Sequence, residues 1–434
     1  MYIYSLTFYN IEPMATKTDY LELATSQKEI ISKANKSLIK REIFNKTFEL
    51  LTNDNRILVI TGMRRVGKST LLQQLMKNLP DYCYLNAEDE RLIHFQAKDF
   101  NHLNEAMIEV YGESNYYFFD EIQNIGNFEI IVRRLQDAGK KIILTGSNSS
   151  LLSIELGTRL TGRYVQIELF PFSFKEFLDF KGKKISKEDF YLPEKKVQLK
   201  QLFKQWMEFG GMPEYLKYED ISYLRTLFDN IIYRDIIARY NIRKHTTLKE
   251  LVHLLANNLT LPITYNSLKN KVGLSNSETV KEYISYLCNS YLFFELRKYS
   301  VSYAKQLANA KKIYLIDNAF HNMITLVSSE NVGRKLENIV HLYYRTNNFE
   351  LYYFNEEQEC DFVHFDGERK PQLTQVCWEL TSSNKDREIK GLIAAIQFFK
   401  LREGTIITFD QEDEFIIEGK KIHVLPVWKF LLRN

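Results

Sequence analysis

The stretch 62-GMRRVGKST-70 decides how the first half of this chain is read. It has the spacing G-x-x-x-x-G-K-[ST], it follows the apolar run 56-RILVIT-61, and it opens a helical pattern over 68–78. Gly62 and Gly67 let the backbone between them, Met63, Arg64, Arg65 and Val66, fold into a nest of N–H groups around phosphate oxygens. The helix start that follows adds its partial positive charge. Lys68 reaches the outer phosphates of a nucleoside triphosphate, the Ser69 hydroxyl is a magnesium ligand, and Thr70 completes the loop. ATP and Mg2+ are therefore the expected ligands.

Working outward, short apolar strands alternate with helices at 81–86, 97–111, 116–120, 128–137, 141–145 and 163–169. That alternation predicts an α/β fold with a largely parallel sheet covered on both faces. One strand ends 116-YYFFDEIQNI-125. Ligands bind beyond the carboxyl ends of such strands. Asp120 is placed to support the magnesium ion, and Glu121 to polarise an attacking water. After the next strand, 142-IILTGSNSS-150, Ser147 and Asn148 are candidates for contact with the γ-phosphate, or equally for a helix N-cap cluster. In 157-GTRLTGRY-164, Arg163 is the candidate for neutralising transition-state charge, with Arg159 in reserve, acting in its own or a neighbouring chain. Arg64 and Arg65 are set to contact either phosphate or acidic residues of another domain.

At 434 residues the chain has room for two to four domains. The charged segment 181-KGKKISKEDFYLPEKK-196 marks a boundary. The expected division is an N-terminal extension (1–35), the nucleotide domain (36–180), a helical region (181–330) and a last α/β unit (331–434). Within the third part, 264-TYNSLKNKVGLSNSETVKEYISYL-287 reads as helix, Gly273 turn and helix, with a capping box from Ser275 to Glu278. This is a helix-turn-helix or winged-helix pattern. Its second helix carries Glu278 and Glu282 against Lys281, which suits packing better than base readout, and leaves DNA contact to Lys269 and Lys271.

The balance of charge, +3, supplies no bulk electrostatic case for nucleic acid. Four scattered cysteines without a C-x-x-C pair argue against a disulfide framework or a zinc site and point to the cytoplasm. No apolar run is long enough to span a bilayer, and the first thirteen residues lack signal-peptide features.

With these residues in view, the chain resembles the bacterial and archaeal family of AAA-type P-loop ATPases that carry a C-terminal domain of unknown function. The resemblance is carried by 62-GMRRVGKS-69, 120-DEIQ-123, 145-TGSN-148, 161-TGR-163 and 171-PFSFKEF-177. It continues through 210-GGMPEYL-216, 232-IYRDIIARYNI-242, 313-IYLIDNAF-320, 375-QVCWEL-380 and 425-LPVWKFLL-432. It implies an AAA-like sheet domain, a helical and winged-helix middle and a restriction-endonuclease-like end. In that last unit Glu337, Asp361 and Gln375 would converge as oxygen ligands for a second metal. Cys377 stands where active relatives of that nuclease fold use a lysine, so the unit is expected to be inactive, with the cysteine filling a sheet core. The function so implied is ATP hydrolysis driving a conformational switch, or acting on an unidentified protein or nucleic-acid partner. The alternative is a nucleic-acid-binding protein or an ATP-regulated nuclease, with the last unit active or DNA-binding, and an arginine acting between chains would require a homo-oligomer.

Overall fold

The protein is described from a computed structural model, which covers residues 16–33, 38–148, 157, 162–186, 188–325, 332–365, 367 and 369–433. Five parallel strands form the first sheet: β1 (Ile57–Thr61), β2 (Cys83–Asn86), β3 (Tyr116–Asp120), β4 (Lys141–Gly146) and β5 (Tyr164–Glu168), in the order β2-β3-β4-β1-β5. β1 shows why these strands read as unbroken apolar runs. Ile57 and Val59 enter one core, while Leu58 and Ile60 enter another on the opposite face. Both faces are covered, so no polar alternation survives.

Beyond Thr61 the chain must turn sharply into the helix Lys68–Met76. Gly62, at φ +153°, has no room for a side chain, because a Cβ there would lie 2.4 Å from the Leu169 carbonyl oxygen. Gly67, at φ +103°, is in the left-handed region that only glycine enters freely. The helix Lys17–Lys33 lies within the segment read as an extension, yet it packs on this domain. Tyr20 and Leu23 enter its core, and the Gln27 side chain exchanges hydrogen bonds with the backbone of Asn86.

The middle of the chain opens with the helices Pro193–Phe209, Pro213–Tyr218 and Ile221–Asn230, the last continuing as a π-helical stretch over Ile231–Ala238. The helix His245–Asn257 is followed by β6 (Pro262–Ile263), the helices Tyr265–Lys271 and Ser277–Asn289, β7 (Phe293–Arg297), the short helix Tyr303–Ala308 and β8 (Lys311–Leu315). These three strands form an antiparallel sheet in the order β6-β8-β7. The second helix of the expected pair is capped by Asn276, whose side chain accepts from the Glu278 N–H at 2.9 Å, and not by Ser275. The cap is one residue later than the capping-box spacing predicts, and asparagine is an equally favoured acceptor of such a bond.

The last unit runs through the helix Val332–Thr346, β9 (Glu350–Asn355), β10 (Glu359–Phe365), β11 (Pro371–Val376), the helix Lys385–Phe398, and β12 (Glu403–Thr408). A hairpin of β13 (Asp413–Ile417) and β14 (Lys420–Pro426) follows, and the helix Val427–Leu431 ends it. The six-stranded sheet has the order β13-β14-β12-β11-β10-β9. Helix Lys385–Phe398 crosses β10 so closely that a Cβ on Gly391 would lie 2.0 Å from the Glu359 carbonyl oxygen. One apolar core runs from Phe170 and Phe172 through Leu248 and Ile284 to Val376 and Trp428, so the middle and last parts are packed together. No helix among the described residues is long and apolar enough to cross a membrane.

Candidate nucleotide site

The phosphate loop, the end of β3 and the end of β4 meet at one edge of the sheet. Lys68 is only 4% exposed. Its ammonium donates to the carbonyls of Gly62 (3.1 Å) and Met63 (3.2 Å) and pairs with Glu121 Oε1 at 3.0 Å. Met63 and Val66 are buried beneath the loop, Ser69 is exposed, and Thr70 is partly so. Asp120 is buried, with one oxygen accepting from the Thr145 hydroxyl and the other from the Tyr84 hydroxyl. Burial pushes its carboxyl above the usual range, opposed by hydrogen bonds from the hydroxyls of Ser69 and Thr145. Ser69 and Asp120 therefore come together as a pair of hard oxygen donors, which suits Mg2+.

Glu121 sits in the left-handed region at φ +50°, and its N–H is fixed by the Thr145 hydroxyl at 2.8 Å. Oε2 accepts from Gln123 Nε2 (2.6 Å) and from the Ser147 N–H (3.2 Å). Burial alone would raise this carboxyl. The Lys68 charge and the hydrogen bonds from Gln123 and Lys68 outweigh burial and hold it at about 2.

Residues of the middle segment close over this edge. Arg64 donates from Nε and Nη2 to the two oxygens of Asp235, at 3.1 and 3.2 Å, and reaches Glu88 through Nη1 at 3.2 Å. Arg65, at φ +64°, pairs with Glu214 at 3.5 Å. Of the two roles open to these arginines, contact with acidic residues is the one seen. Asn148 donates to the Tyr240 hydroxyl at 3.2 Å, and the Tyr240 ring stacks on Tyr286 at 3.8 Å. The Tyr291 hydroxyl donates to Thr61 at 2.6 Å. Behind the loop, buried Arg41 donates to the carbonyls of Val66 and Phe170 and to Glu176. Sequence reasoning missed Arg41, Thr145, Asp235, Tyr240 and Tyr291. The segments holding Asp235 and Tyr240 stood out, but nothing in them named the loop as their partner.

Arg163 requires a correction. It lies just before β5, where its carbonyl accepts from the Ile57 N–H at the beginning of β1. Strands β1 and β5 are parallel, so this is the edge opposite the phosphate loop, about 15 Å away for a five-residue strand. The side chain is 53% exposed and pairs with Asp137. Arg163 cannot serve the loop of its own chain. Arg159 lies outside the described residues.

The second group of candidates is also rearranged. Glu337 and Asp361 do converge, but on a lysine. The Lys312 ammonium, 1% exposed on β8, contacts Glu337 (3.0 Å), Asp361 (3.0 Å) and Glu359 (2.8 Å). Those are the distances of charge-assisted hydrogen bonds, and the buried ammonium stands where a cation between these carboxylates would. Gln375 is not a ligand: its oxygen accepts from the Asp361 N–H and its nitrogen donates to Glu388. Among the described residues no cluster of His, Cys, Asp and Glu is arranged to hold a metal ion. Cys377 lies past the end of β11 and packs with Ile389 and Ile393, and burial pushes its thiol up to about 12.

Comparison with known proteins bears on the domain that holds the first site. Residues 54–178 match the family model described as AAA domain. An uncharacterized protein of Methanocaldococcus jannaschii is 36% identical over 414 residues, 91% of this chain and 92% of that protein. An uncharacterized protein of Haemophilus influenzae is 30% identical over 323 residues, 70% of this chain and 78% of its own length. The chain belongs to their family. Its residues 54–178 are an AAA-type domain that carries the loop 62-GMRRVGKST-70. A match to a domain of unknown function (DUF8612) falls on residues 200–331, in the middle and not at the C-terminal end. Among solved structures, the Walker-type ATPase paby2304 of Pyrococcus abyssi aligns with a TM-score of 0.42 and 16% identity, covering 66% of this chain and 96% of its own. AMPPCP-bound DnaA from Aquifex aeolicus aligns at 0.26 and 15%, covering 64% and 92%. At those values the alignments add nothing to what strand order and loop already establish.

Proposed function

We propose that this protein binds ATP with Mg2+ on the loop 62–70, hydrolyses it, and uses the cycle to move its middle and last modules. The observation that carries this is the placement of Lys68 between the loop carbonyls and Glu121, beside the Ser69 and Asp120 oxygens. A triphosphate draws Lys68 toward its outer oxygens. Glu121 then loses the strongest of the forces that keep its carboxyl low, and burial raises its basicity. A carboxylate so placed takes the proton of an attacking water. Mg2+, held by Ser69 and Asp120, supplies charge neutralisation at the phosphates.

The contacts of Arg64 with Asp235, Asn148 with Tyr240 and Thr61 with Tyr291 give nucleotide binding a route into the middle module. The proposed modules are 36–180, 181–330 and 331–434, with the helix Lys17–Lys33 joined to the first. The helix pair Tyr265–Lys271 and Ser277–Asn289 beside the antiparallel sheet β6-β8-β7 supports a winged helix. In the last module the order helix, three strands, helix, strand supports a restriction-endonuclease-like unit. Lys312 neutralises the carboxylates such a unit would use for metal, so we read it as non-cleaving. Three of the four free cysteines are buried, which suits a reducing cytoplasm. The target is a protein or nucleic acid. If Arg163, exposed at the far edge, acts on nucleotide at all, it acts on that of a neighbouring copy in a homo-oligomer.

Phosphate release by the purified chain tests the reading. Turnover that requires Mg2+ and vanishes in Lys68→Ala supports it, while equal turnover in Lys68→Ala sinks it.

A further inference from the structure

The Glu121 carboxylate is shared between two sets of donors. Oε1 meets the Lys68 ammonium at 3.0 Å, while Oε2 accepts from Gln123 Nε2 at 2.6 Å and from the Ser147 N–H at 3.2 Å. Gln123 reaches back to a residue only two positions earlier because Glu121 is left-handed, at φ +50°, and the tight helical turn Ile122–Asn124 follows it. Ile122 is buried beneath that turn, and the Asn124 side chain donates to the Glu121 carbonyl at 3.1 Å, so the turn is pinned from two sides. Because Nε2 must face the carboxylate, the direction of the other end of the amide, Oε1, is fixed as well. Oε1 is sealed from solvent and has no hydrogen-bond partner among the described residues. The same is true of the hydroxyl oxygen of buried Ser147, whose N–H meets the same Glu121 oxygen. Two orphaned polar atoms thus belong to the two groups that hold one carboxylate oxygen beside the phosphate loop. Leaving such atoms unpaired is costly, and folds rarely keep them without a use. A water molecule is the smallest partner that can serve them.

We infer that Gln123 orients the attacking water, its carbonyl oxygen accepting one hydrogen of that water while Glu121 takes the other. The inference rests on the ATPase reading above and adds a residue to its chemistry. The water oxygen bonds to the γ-phosphorus, the bond from that phosphorus to the bridging oxygen breaks, and ADP leaves with the electron pair. One water proton passes to the Glu121 carboxylate, and the other stays on the phosphate that forms. A neutral amide suits this place, because its oxygen accepts a hydrogen bond but does not take the proton, which leaves Glu121 as the one destination. Two acceptors also hold the water in a single orientation before the bond forms. The nitrogen end of the same amide acts on the base itself. Burial raises the Glu121 carboxyl, and the Lys68 charge followed by the Gln123 hydrogen bond brings it down to about 2. Gln123 therefore also helps to set the pH at which Glu121 is available as a carboxylate.

The experiment measures single-turnover phosphate release as a function of pH, and equilibrium binding of AMPPNP with Mg2+, on the full chain and on Gln123→Leu and Gln123→Asn. Gln123→Leu keeps the bulk of the side chain and removes both ends of the amide, while Gln123→Asn keeps the amide on a shorter stem. In Gln123→Leu, AMPPNP affinity should stay within about threefold of wild type while phosphate release slows about tenfold to a hundredfold. The acid limb of its rate profile should move to higher pH, since Glu121 loses a hydrogen bond that favours its charged form. Gln123→Asn should restore part of the rate. Release within about twofold of wild type with the acid limb unmoved overturns the inference and leaves the ATPase reading standing, as do losses of AMPPNP binding and release in equal proportion. A wild-type chain that releases no phosphate overturns the ATPase reading and the inference with it.

Discussion

Replacing Lys312 by methionine keeps the length of the side chain and removes one charge from the interior. In the wild type that charge faces three carboxylates at 2.8–3.0 Å and is almost fully buried. At an effective dielectric of about 20, each contact at such a distance is worth about 5 kcal/mol before desolvation is counted. Desolvation cancels much of that in the intact cluster. It does not help the variant, in which Glu337 and Asp361 remain buried without their cation. Removing one partner of a buried pair costs about 3–5 kcal/mol, and that is the loss expected for Lys312→Met in urea unfolding followed by tryptophan fluorescence. The pH dependence has a definite sign. Burial and the Asp361 charge already push Glu337 above the carboxylate range, and losing Lys312 pushes it further. A carboxyl with a raised folded pKa binds its proton in the folded state first. Its contribution is therefore complete at low pH and is lost as pH rises through the folded value. The deficit of Lys312→Met should be largest near pH 8 and shrink toward pH 5, and Lys312→Met with Glu337→Gln should recover part of it at pH 8. A loss below about 1 kcal/mol with no pH dependence would show that the cluster is not a buried ion network, and the argument against a metal there would fall with it.

Other consequences are open to measurement. Gly391→Ala places a methyl group 2.0 Å from the Glu359 carbonyl oxygen, so the helix must lift from β10, and a loss of about 3 kcal/mol or more in chemical unfolding is expected. Arg41→Ala strands buried Glu176 and frees the Val66 carbonyl behind the phosphate loop. Stability should drop by about 3–5 kcal/mol, and the KM for ATP should rise as the loop loses its support. Burial, followed by the Lys335 charge, lowers His321 to about 4. The unfolded chain takes up that proton first, so stability is full above about 6.5 and falls as pH drops toward about 4. His321→Phe should flatten that part of the stability curve, and an unchanged slope would contradict the assignment.

The sheet was legible because its strands are buried on both faces, so that Ile57–Thr61 and Tyr116–Asp120 announce themselves without knowledge of their neighbours. Lys68, Ser69, Asp120 and Glu121 were legible for a related reason: each stands at the end of such a strand or the start of the helix after it. Arg163 failed on the same logic, misapplied. It precedes its strand, and in a parallel sheet the residues before the strands gather at the edge away from the ligand. The fate of Glu337 and Asp361 could not be read at all, since Lys312 comes from a different sheet and reaches them only through packing between modules. The same holds for Asp235 and Tyr240. Their segment drew notice, but which groups they meet depends on how the middle of the chain folds back over the loop.

The central claim is that the loop 62–70 and Glu121 form one ATP-hydrolysing site. Glu121→Gln tests it most directly, because it keeps the shape and removes the base. Single-turnover phosphate release and equilibrium ATP binding on the purified variant should show ATP bound at least as tightly as in the wild type, with release slowed about a hundredfold or more. Wild-type release by Glu121→Gln, or loss of ATP binding with the fold intact, would contradict the account.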